Sequence, residues 1–496
     1  MAPITPRWEW RSFGRHFPAA EARLAALTPG GVQESDELYL LSGSGGNAKI
    51  RDDLMDVKVL RQVDGAGLEQ WTPVMKAAFP LPAADVAKVF DVLRLPPPAL
   101  SRASYSLDEF LEAFAAPGGS MRAVSVGKRR TRYTLGGCMA ELSDVVVGGK
   151  AIRTIAVESE DAAAVVRAVR DLGLDGYRNT SYPRGLSALV DDVPSRYSVI
   201  DVGTNSVKFH VGERDGGGKW RTVVDRAEMT RLGEGLEERG FIGDAALERT
   251  VAAIAGMASE AKRHEALATV AVGTAGLRIA SNRDEVLADI EARTGIRIEV
   301  IPGDEESRLA YLAARSGLGP IAGPLVVFDT GGGSSQFTFG HDGSVDERFS
   351  IDVGAVRYTE RYRLDSVVPP AVLREAIAAI AADLSRLDGR PAPAAMVAMG
   401  GAVTNMAAVS HELARYEPNV VQGTVLDRTE IERQIELYRS RDAEARLAIV
   451  GLQPKRAEVI LAGACIVLAI MEKLGMNALT VSDRGLRHGV LAERFD

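Results

Sequence analysis

The chain has 496 residues, which is too long for one hydrophobic core, because cores stop growing near about 250 to 300 residues and longer chains divide into domains. With 46% hydrophobic and 25% charged residues, the composition is that of a soluble globular protein and excludes a largely disordered chain. The net charge of −8 argues against a general nucleic-acid binder, although a polyanionic substrate requires only a locally positive groove.

No segment has the character of a signal peptide or of a membrane span. Residues 1–17 contain three arginines and a glutamate instead of an apolar signal-peptide core. The most apolar run, residues 459–471, is shorter than the roughly 20 residues that a span requires, and it predicts a buried helix. Two cysteines and six histidines without metal-ligand spacing disfavour zinc, and we expect a protein of the reducing cytoplasm.

In chain order, the first part of the sequence is dominated by short strand-like runs. The predicted strands are 37–41, 48–51, 57–63, 130–135, 139–147 and 152–158, and the predicted helices between them are 83–93, 106–114 and 161–172. The stretch 180–196 contains two prolines and paired aspartates, which interrupt the periodicity and predict a domain boundary. We therefore expect a first domain over residues 1–192.

The strands of this first domain place charged residues at positions i and i+2, which lie on the same face of a strand. Examples are Glu9 with Arg11, and Glu158 with Glu160. A solvated outer face would explain any single pair, but several pairs together fit an antiparallel α+β barrel whose interior is an anion tunnel. The cationic residues expected in that tunnel are Lys49, Arg51, Lys58, Arg130 and Arg132.

Six short runs, at 36–40, 49–51, 57–60, 130–133, 138–141 and 157–160, resemble those of the triphosphate-tunnel (CYTH) family, and the resemblance covers residues 7–189. It implies a tunnel-shaped barrel domain that handles linear phosphate chains. Members of that family bind Mg²⁺ through a Glu-x-Glu-x-Lys strand, whereas this chain has only Glu9 and Arg11 there. The departure disfavours hydrolysis by this domain and leaves the binding of a phosphate chain.

Downstream, apolar strands alternate with amphipathic helices, as in a sheet with crossover connections. Two of these strands end in an acid followed by glycine and hydroxyl residues, in Asp201-Val-Gly-Thr-Asn-Ser and in Asp329-Thr-Gly-Gly-Gly-Ser. Glycine lets the backbone approach an anion closely, and an aspartate at a strand end can hold a cation. Either loop alone could be an ordinary tight turn. Their repetition predicts two related lobes around a phosphate cleft, which a third turn at Gly400 and Gly401 could complete.

Six motifs follow one another in the second part of the chain: Asp201-Val-Gly-Thr-Asn-Ser206, Gly273-Thr-Ala-Gly-Leu-Arg278, Ile301-Pro-Gly-Asp-Glu-Glu306-Ser-Arg308, Asp329-Thr-Gly-Gly-Gly-Ser334, Met399-Gly-Gly-Ala-Val-Thr404 and Ser482-Asp-Arg-Gly-Leu-Arg-His-Gly489. In this order they resemble the exopolyphosphatase and guanosine pentaphosphate phosphohydrolase (Ppx/GppA) family, from residue 197 to the end of the sequence. The resemblance implies the α/β fold of the actin-like ATPase superfamily, with two ribonuclease-H-like lobes, which we place at residues 193–320 and 321–496.

The resemblance also implies roles for individual residues. Glu306 corresponds to the general base that orients the attacking water, and Arg278 to a catalytic residue that contacts phosphate. Without the other motifs, the acidic turn 304–306 could simply be the first turn of a helix, where negative charge is favourable. Asp201, Asp329 and Gln336 are the implied ligands of Mg²⁺, although the family has glutamate at position 336. The implied substrate-binding residues are Gly203, Thr204, Asn205, Ser206, Gly331, Gly332, Gly333, Ser334 and Gly401.

We expect an Mg²⁺-dependent exopolyphosphatase that hydrolyses the terminal phosphoanhydride of inorganic polyphosphate, with an N-terminal domain that binds the chain. The expected partner is polyphosphate or another linear phosphoanhydride, with no nucleic acid and no membrane, and a homodimer is left open. Three alternatives remain at this point. They are a guanosine pentaphosphate phosphohydrolase, a protein that binds polyphosphate without turnover, and a kinase, for which the sequence identifies no acceptor pocket.

Overall fold

The computed structural model of the chain describes residues 5–43, 46–65, 67–116, 118–204, 206–215, 219–318, 321–341 and 344–495. Its strands form a closed eight-stranded barrel in the N-terminal part, followed by a five-stranded and a six-stranded sheet. None of the helices within these ranges is long and apolar enough to cross a membrane.

The N-terminal strands form the antiparallel barrel that the sequence predicts. They are β1 Arg7–Gly14, β2 Val32–Leu41, β3 Asn47–Arg51, β4 Leu54–Val63, β5 Glu69–Ala78, β6 Leu81–Pro82, β7 Ser104–Tyr105, β8 Arg122–Leu135, β9 Cys138–Val147 and β10 Lys150–Ser159. Eight of them close in the order β1-β10-β9-β8-β2-β3-β4-β5, and β6 pairs with β7 outside the barrel. Burial alternates along strands such as β3 because successive side chains point to opposite faces of the barrel wall.

Five helices accompany the barrel, and one of them closes an end of it. They are α1 Pro18–Ala25, α2 Ala83–Val92, α3 Leu107–Phe114, α4 Ala162–Asp171 and α5 Tyr182–Val190. In α5, the ring of Tyr182 stacks on Tyr39 of β2 with 5.3 Å between centroids and meets Phe13 of β1 edge-on at 5.5 Å. Leu186 joins the same buried cluster, which also includes residues of β8 and β9. The barrel is therefore covered by α5 between β1, β2, β8 and β9.

Helix α5 corrects the interpretation of residues 180–196 as an interruption. Pro183 lies in the first turn of the helix, where its missing N–H removes no intrahelical hydrogen bond. Gly185 is required by packing, because a Cβ at this position would lie 2.3 Å from the ring of Phe13. Pro183 and Gly185 therefore both belong to a helix that packs closely against the barrel.

The two following sheets share one pattern of three antiparallel strands continued by parallel ones, and the second sheet adds an antiparallel edge strand. Their strands are β11 Ser195–Val202, β12 Ser206–Arg214, β13 Trp220–Met229, β14 Ala268–Gly273, β15 Ile298–Val300, β16 Pro324–Thr330, β17 Ser335–His341, β18 Ser344–Ile351, β19 Ala395–Met399, β20 Val425–Asp427 and β21 Ala478–Val481. The first sheet has the order β13-β12-β11-β14-β15 and the second β18-β17-β16-β19-β21-β20. β11 and β16 are each antiparallel to the next strand and parallel to β14 and β19 respectively. The chain thus contains the two related lobes that the repeated loops predict.

Helices cover both sheets. They are α6 Leu236–Arg239, α7 Asp244–Arg263, α8 Ala275–Ile279, α9 Arg283–Thr294, α10 Gly303–Leu318, α11 Ala355–Tyr362, α12 Pro370–Asp383, α13 Gly401–Ser410, α14 Pro418–Val421, α15 Arg428–Arg439, α16 Ala443–Arg446, α17 Ile460–Lys473 and α18 Leu486–Phe495. Residues 460–471 of α17 are all buried, which confirms the prediction of a buried helix for the apolar run.

Two helices pack across the lobes. Tyr311 of α10 shares a buried cluster with Leu325 at the start of the second sheet, whereas Val490 of α18 shares one with Val199 of the first sheet. The boundary expected at residues 320 and 321 lies between the two sheets along the chain, but the packing of these helices crosses it. The exchange of helices brings the two strand ends that carry Asp201 and Asp329 to one cleft.

Candidate functional site

The two loops that the sequence singled out occupy equivalent places in the two lobes. Asp201 is the penultimate residue of β11, directly opposite Lys208 of β12, and Asp329 is the penultimate residue of β16, directly opposite Gln336 of β17. In each loop the first glycine donates its N–H to the carbonyl three residues later, over 3.0 Å in the first loop and 2.9 Å in the second. The loops therefore contain the same tight turn beside the same acid.

Thr204 in the first loop is held between two glycines. A Cβ on Gly233 would lie 2.2 Å from its Cγ2, and one on Gly276 would lie 3.1 Å from its Oγ1. Gly276 belongs to α8, so this close contact keeps α8 and its Arg278 beside the loop. Asn205, which the sequence also placed here, lies outside the described residues.

The second loop contains backbone N–H groups that no described residue accepts. The carbonyls of Gly331 and Gly332 accept hydrogen bonds from the N–H groups of Ala355 and Val356, the first two residues of α11, each over 2.9 Å. Among the described residues, the N–H groups of Gly332, Gly333 and Ser334 donate to no acceptor. Successive free N–H groups of this kind form a site for an anion.

The third turn brings in a cation that the sequence analysis missed. Gly400 has φ of 92°, and a Cβ there would lie 2.2 Å from Asp329 Oδ1. A Cβ on Gly401 would lie 2.3 Å from Cζ of Arg456, whose buried Nε has no hydrogen-bond partner within the described part of the chain. Burial lowers the pKa of Arg456, and the charge of Asp329 opposes this effect. Arg456 therefore places a half-buried positive charge beside the turn at Gly401, which is predicted to bind phosphate.

Glu306 lies in the first turn of α10 and is paired with Arg278. Arg278 Nη1 donates to Glu306 Oε2 and to the carbonyl of Ile301, each over 2.9 Å. Burial raises the pKa of Glu306, and the charges of Asp201 and Asp329 raise it further, whereas Arg278 opposes the rise. The structure thus brings Glu306, Arg278 and both aspartates within electrostatic reach of one another.

The neighbouring carboxylate, Glu305, is differently placed. It forms an ion pair with Arg308 over 2.7 Å, and this hydrogen-bonded partner lowers its pKa. A general base works best when its pKa lies near the working pH. The raised pKa of Glu306 and the lowered pKa of Glu305 therefore favour Glu306 as the base.

Asp201 and Asp329 provide carboxylates without forming a closed metal cage. Burial raises the pKa of Asp329, Lys208 and Arg456 oppose the rise, and the charge of Asp201 adds to it. Within the described residues, Asp201, Asp329 and Glu306 do not form a group whose ligand atoms all lie within 4.8 Å of one another. The arrangement fits an ion such as Mg²⁺, which keeps several waters and is held by one or two carboxylates with substrate phosphates.

One cluster brings together two histidines that are distant in sequence. Ligand atoms of His210, Asp225 and His488 lie within 4.8 Å of one another. However, the N–H of Gly485 donates to His488 Nδ1 over 3.1 Å, so the proton of this neutral ring is on Nε2 and faces Asp225. Arg487 also donates to both oxygens of Asp225 over 2.9 Å. These bonds tie α18 to the first lobe and already use the atoms that a metal ion would need.

Inside the barrel, four cationic side chains converge on Glu37. Lys49 and Lys128 lie 3.1 and 2.8 Å from its Oε2, and Arg130 and Arg51 lie 3.1 and 3.5 Å from its Oε1. These cations hold the pKa of Glu37 far below its usual value despite burial. Burial lowers the pKa of Lys128, which the sequence analysis missed, to about 7.

The remaining predicted barrel cations surround two further carboxylates. Arg132 lies 3.6 Å from Glu141, and the positive charge of Lys58 contributes to the lowered pKa of Glu9. Arg11 bridges the two glutamates, at 2.8 Å from Glu9 and 3.7 Å from Glu141. The glutamates of this interior are therefore already paired with protein cations.

Comparison with known proteins gives matches over the two lobes. A family model described as the Ppx/GppA phosphatase family matches residues 211–496. Exopolyphosphatase 2 of Mycobacterium tuberculosis is 29% identical over 314 residues, which cover 60% of this chain and 97% of that protein. Exopolyphosphatase 1 of Mycobacterium leprae is 28% identical, with 61% and 90% covered. A crystal structure of the Aquifex aeolicus Ppx/GppA phosphatase, 29% identical, covers 61% of this chain and all of its own with a TM-score of 0.56.

Proposed function

Because the chain belongs to the Ppx/GppA phosphatase family, we propose that it is an exopolyphosphatase, which hydrolyses the terminal phosphoanhydride of inorganic polyphosphate and releases phosphate. The observation that carries the proposal is the pair of Glu306 and Arg278 in the cleft between two aspartate-ended strands. The two mycobacterial relatives, both named exopolyphosphatases, support this choice of substrate.

Substrate binding in this proposal uses the free donors of the cleft. The N–H groups of Gly332, Gly333 and Ser334 would donate hydrogen bonds to the terminal phosphate, together with the first loop at Gly203 and Thr204. Arg456 supplies positive charge beside the third turn at Gly401. Phosphoryl transfer depends mainly on such positioning and neutralisation, because the transition state carries its charge on phosphate oxygens.

Glu306 would take the proton of the attacking water. Burial raises its pKa, which makes its carboxylate a stronger base than that of an ordinary glutamate. Arg278 holds the carboxylate in place through its hydrogen bond, and its second N–H is anchored on the carbonyl of Ile301. The remaining guanidinium N–H groups of Arg278 are available to a phosphate oxygen of the substrate.

Asp201, Asp329 and Gln336 would hold Mg²⁺. When bound, this ion neutralises charge on phosphate oxygens and polarises the phosphoryl group. The fit rests on the raised pKa of Asp329, because a carboxylate that is buried beside another carboxylate is stabilised by a cation. Gln336 offers a neutral carbonyl oxygen on the same face of the sheet.

The barrel, within residues 1–192, would bind the polyphosphate chain without cleaving it. The hydroxyl of Tyr182 and Nε of Arg130 are buried there without a hydrogen-bond partner among the described residues, and both can donate to a phosphate oxygen. Because α5 covers one end of the barrel, the polyphosphate chain would enter from the other end.

Both cysteines, Cys138 and Cys465, are free thiols, which supports a place in the reducing cytoplasm.

Phosphate release from polyphosphate and from guanosine pentaphosphate, each with Mg²⁺ and with a chelator, tests the proposal. The proposal predicts Mg²⁺-dependent release that is faster from polyphosphate and is lost in Glu306→Gln. Faster release from guanosine pentaphosphate would instead identify a guanosine pentaphosphate phosphohydrolase. Tight binding of polyphosphate without release from either compound would identify a sensor or scaffold protein.

A further inference from the structure

A large cavity lies outside the two sites described above, where the barrel domain meets the first lobe. Its volume is about 860 Å³. The domain contact that borders it is a short β-bridge between Tyr177 and Ala268, in which Thr269 donates its N–H to the carbonyl of Gly176 over 2.8 Å. Residues of α1 and α4 line the cavity from the barrel side, and β14 and β15 line it from the lobe side. We call it the junction cleft.

The junction cleft is strongly cationic. Its acidic lining residues are Asp175 and Glu299. Its cationic lining residues are Arg23, Arg170, Arg178, Lys262, Arg297 and Arg494. Six cations against two carboxylates in one cavity contrast with the net charge of −8 of the whole chain.

Most of these cations lack a carboxylate of their own. Arg170 pairs with Glu291 over 3.2 Å, and Arg494 pairs with Glu299 over 2.9 Å. The other four, Arg23, Arg178, Lys262 and Arg297, form no ion pair with any described residue. Two cations on the barrel side and two on the lobe side thus bring uncompensated positive charge to the same cavity.

Charge of one sign on the walls of a cleft focuses the field and concentrates ions of the opposite sign. Guanidinium groups bind phosphate through two parallel N–H donors, and they remain protonated at any physiological pH. The volume is within the range of about 300 to 1,000 Å³ for small-molecule sites, which favour domain interfaces. Apolar residues such as Ile296 and Val270 also line the cavity and leave space for an uncharged group attached to the phosphates.

We propose that the junction cleft binds a small anion that carries several phosphates, at a site separate from the active site and from the barrel interior. The bound anion would bridge Arg23 of the barrel domain and Arg297 of the first lobe, and so link the two parts of the chain. The phosphates could belong to a short inorganic polyphosphate or to a nucleoside triphosphate, which share the chemistry that the arginines recognise. This proposal does not depend on the hydrolytic activity.

Hydrogen–deuterium exchange of the full chain, read by mass spectrometry, locates the binding. Tripolyphosphate and ATP serve as probes with the same number of phosphates, in the presence of a chelator that prevents turnover. We expect both segments that border the junction cleft, 173–178 and 295–300, to exchange more slowly with at least one probe. Protection by tripolyphosphate indicates an inorganic ligand, and protection by ATP alone indicates a nucleotide.

A double substitution separates direct binding from an indirect effect. Arg178→Ala with Arg297→Ala should raise the probe concentration for half-maximal protection of 173–178 and 295–300 at least tenfold, while protection of residues 329–335 in the active site is unchanged. The matched control, Lys76→Ala with Arg374→Ala, removes two exposed cations outside the cleft and should change neither. Protection of neither segment by either probe, or protection that survives the double substitution in folded protein, would overturn the proposal.

Discussion

Gln336 is the residue whose substitution tests the proposed Mg²⁺ site most sharply. It lies directly opposite Asp329 in the pairing of β16 with β17, so both side chains are on the same face of the sheet. An amide offers one carbonyl oxygen, whereas a carboxylate at the same position would add a negative charge to a site that must attract a divalent cation. Gln336→Glu should therefore strengthen Mg²⁺ binding and lower the concentration of Mg²⁺ that gives half-maximal turnover.

The size of the effect follows from Coulomb's law. Directly opposed residues of an antiparallel pair have Cβ atoms about 4.5 to 5.5 Å apart, so a cation bound by Asp329 is roughly 5 Å from the new charge. At that separation, with full water screening, a unit charge attracts a divalent cation by about 1.7 kcal/mol. This corresponds to slightly more than tenfold in affinity, at about 1.4 kcal/mol per factor of ten. Because Gln336 is half-buried, screening is weaker than in water, and tenfold is the lower bound.

The assay is a titration of phosphate release from polyphosphate against Mg²⁺ for the wild type and for Gln336→Glu. Gln62→Glu is the matched control, because it adds the same charge at an exposed position of the barrel domain, where Gln62 contacts Gln70. The control should keep the Mg²⁺ dependence of the wild type. If Gln336→Glu also keeps it, residue 336 does not hold the metal, and the reasoning from the strand register is refuted.

Four further predictions concern the base, its pKa, the barrel and stability. Glu306→Gln should lower turnover about a hundredfold or more, as for the loss of a general base, with unchanged binding of polyphosphate in equilibrium measurements. Because only the deprotonated carboxylate accepts a proton, wild-type turnover should fall on acidification at a higher pH than for an ordinary glutamate, and Arg278→Ala should move this limb to still higher pH in a pH–rate profile. Lys49→Ala with Arg130→Ala should raise KM for long polyphosphate several-fold more than for tripolyphosphate, because two linked sites on one ligand gain affinity through effective concentration. Arg446→Met should cost about 3 kcal/mol or more in urea unfolding, since this fully buried guanidinium donates to several buried carbonyls, and each unsatisfied one costs about 1 to 3 kcal/mol.

The sequence predicts the parts of the fold that depend on local patterns. Short strand-like runs identify most barrel strands, and the strand-acid-glycine repeat identifies the two lobes. β5 was not predicted because Pro73 interrupts its pattern, and in the structure Pro73 lies opposite Lys58 where the strand register shifts. The expected pair of Glu158 and Glu160 does not lie on one strand face, because β10 ends at Ser159 and Glu160 is exposed beyond it.

The candidate site was only partly predictable, since several of its side chains are brought in by tertiary packing. Lys208 could have been anticipated, because a tight turn after Asp201 places it opposite that residue in the hairpin. Arg456 has no such signal, as it reaches the cleft from the segment before α17 through its contact with Gly401. Lys128 and the cluster of His210 with His488 likewise depend on strands and helices that are distant in sequence.

We propose that the two lobes remove phosphate from the end of a polyphosphate chain. The length distribution of products during partial digestion of polyphosphate of one defined length with Mg²⁺ tests this directly. Cleavage at the chain end predicts inorganic phosphate as the small product and remaining chains that shorten from their ends, and Glu306→Gln should strongly slow both changes. Short internal fragments in place of single phosphates, or an unchanged rate for Glu306→Gln, would contradict it.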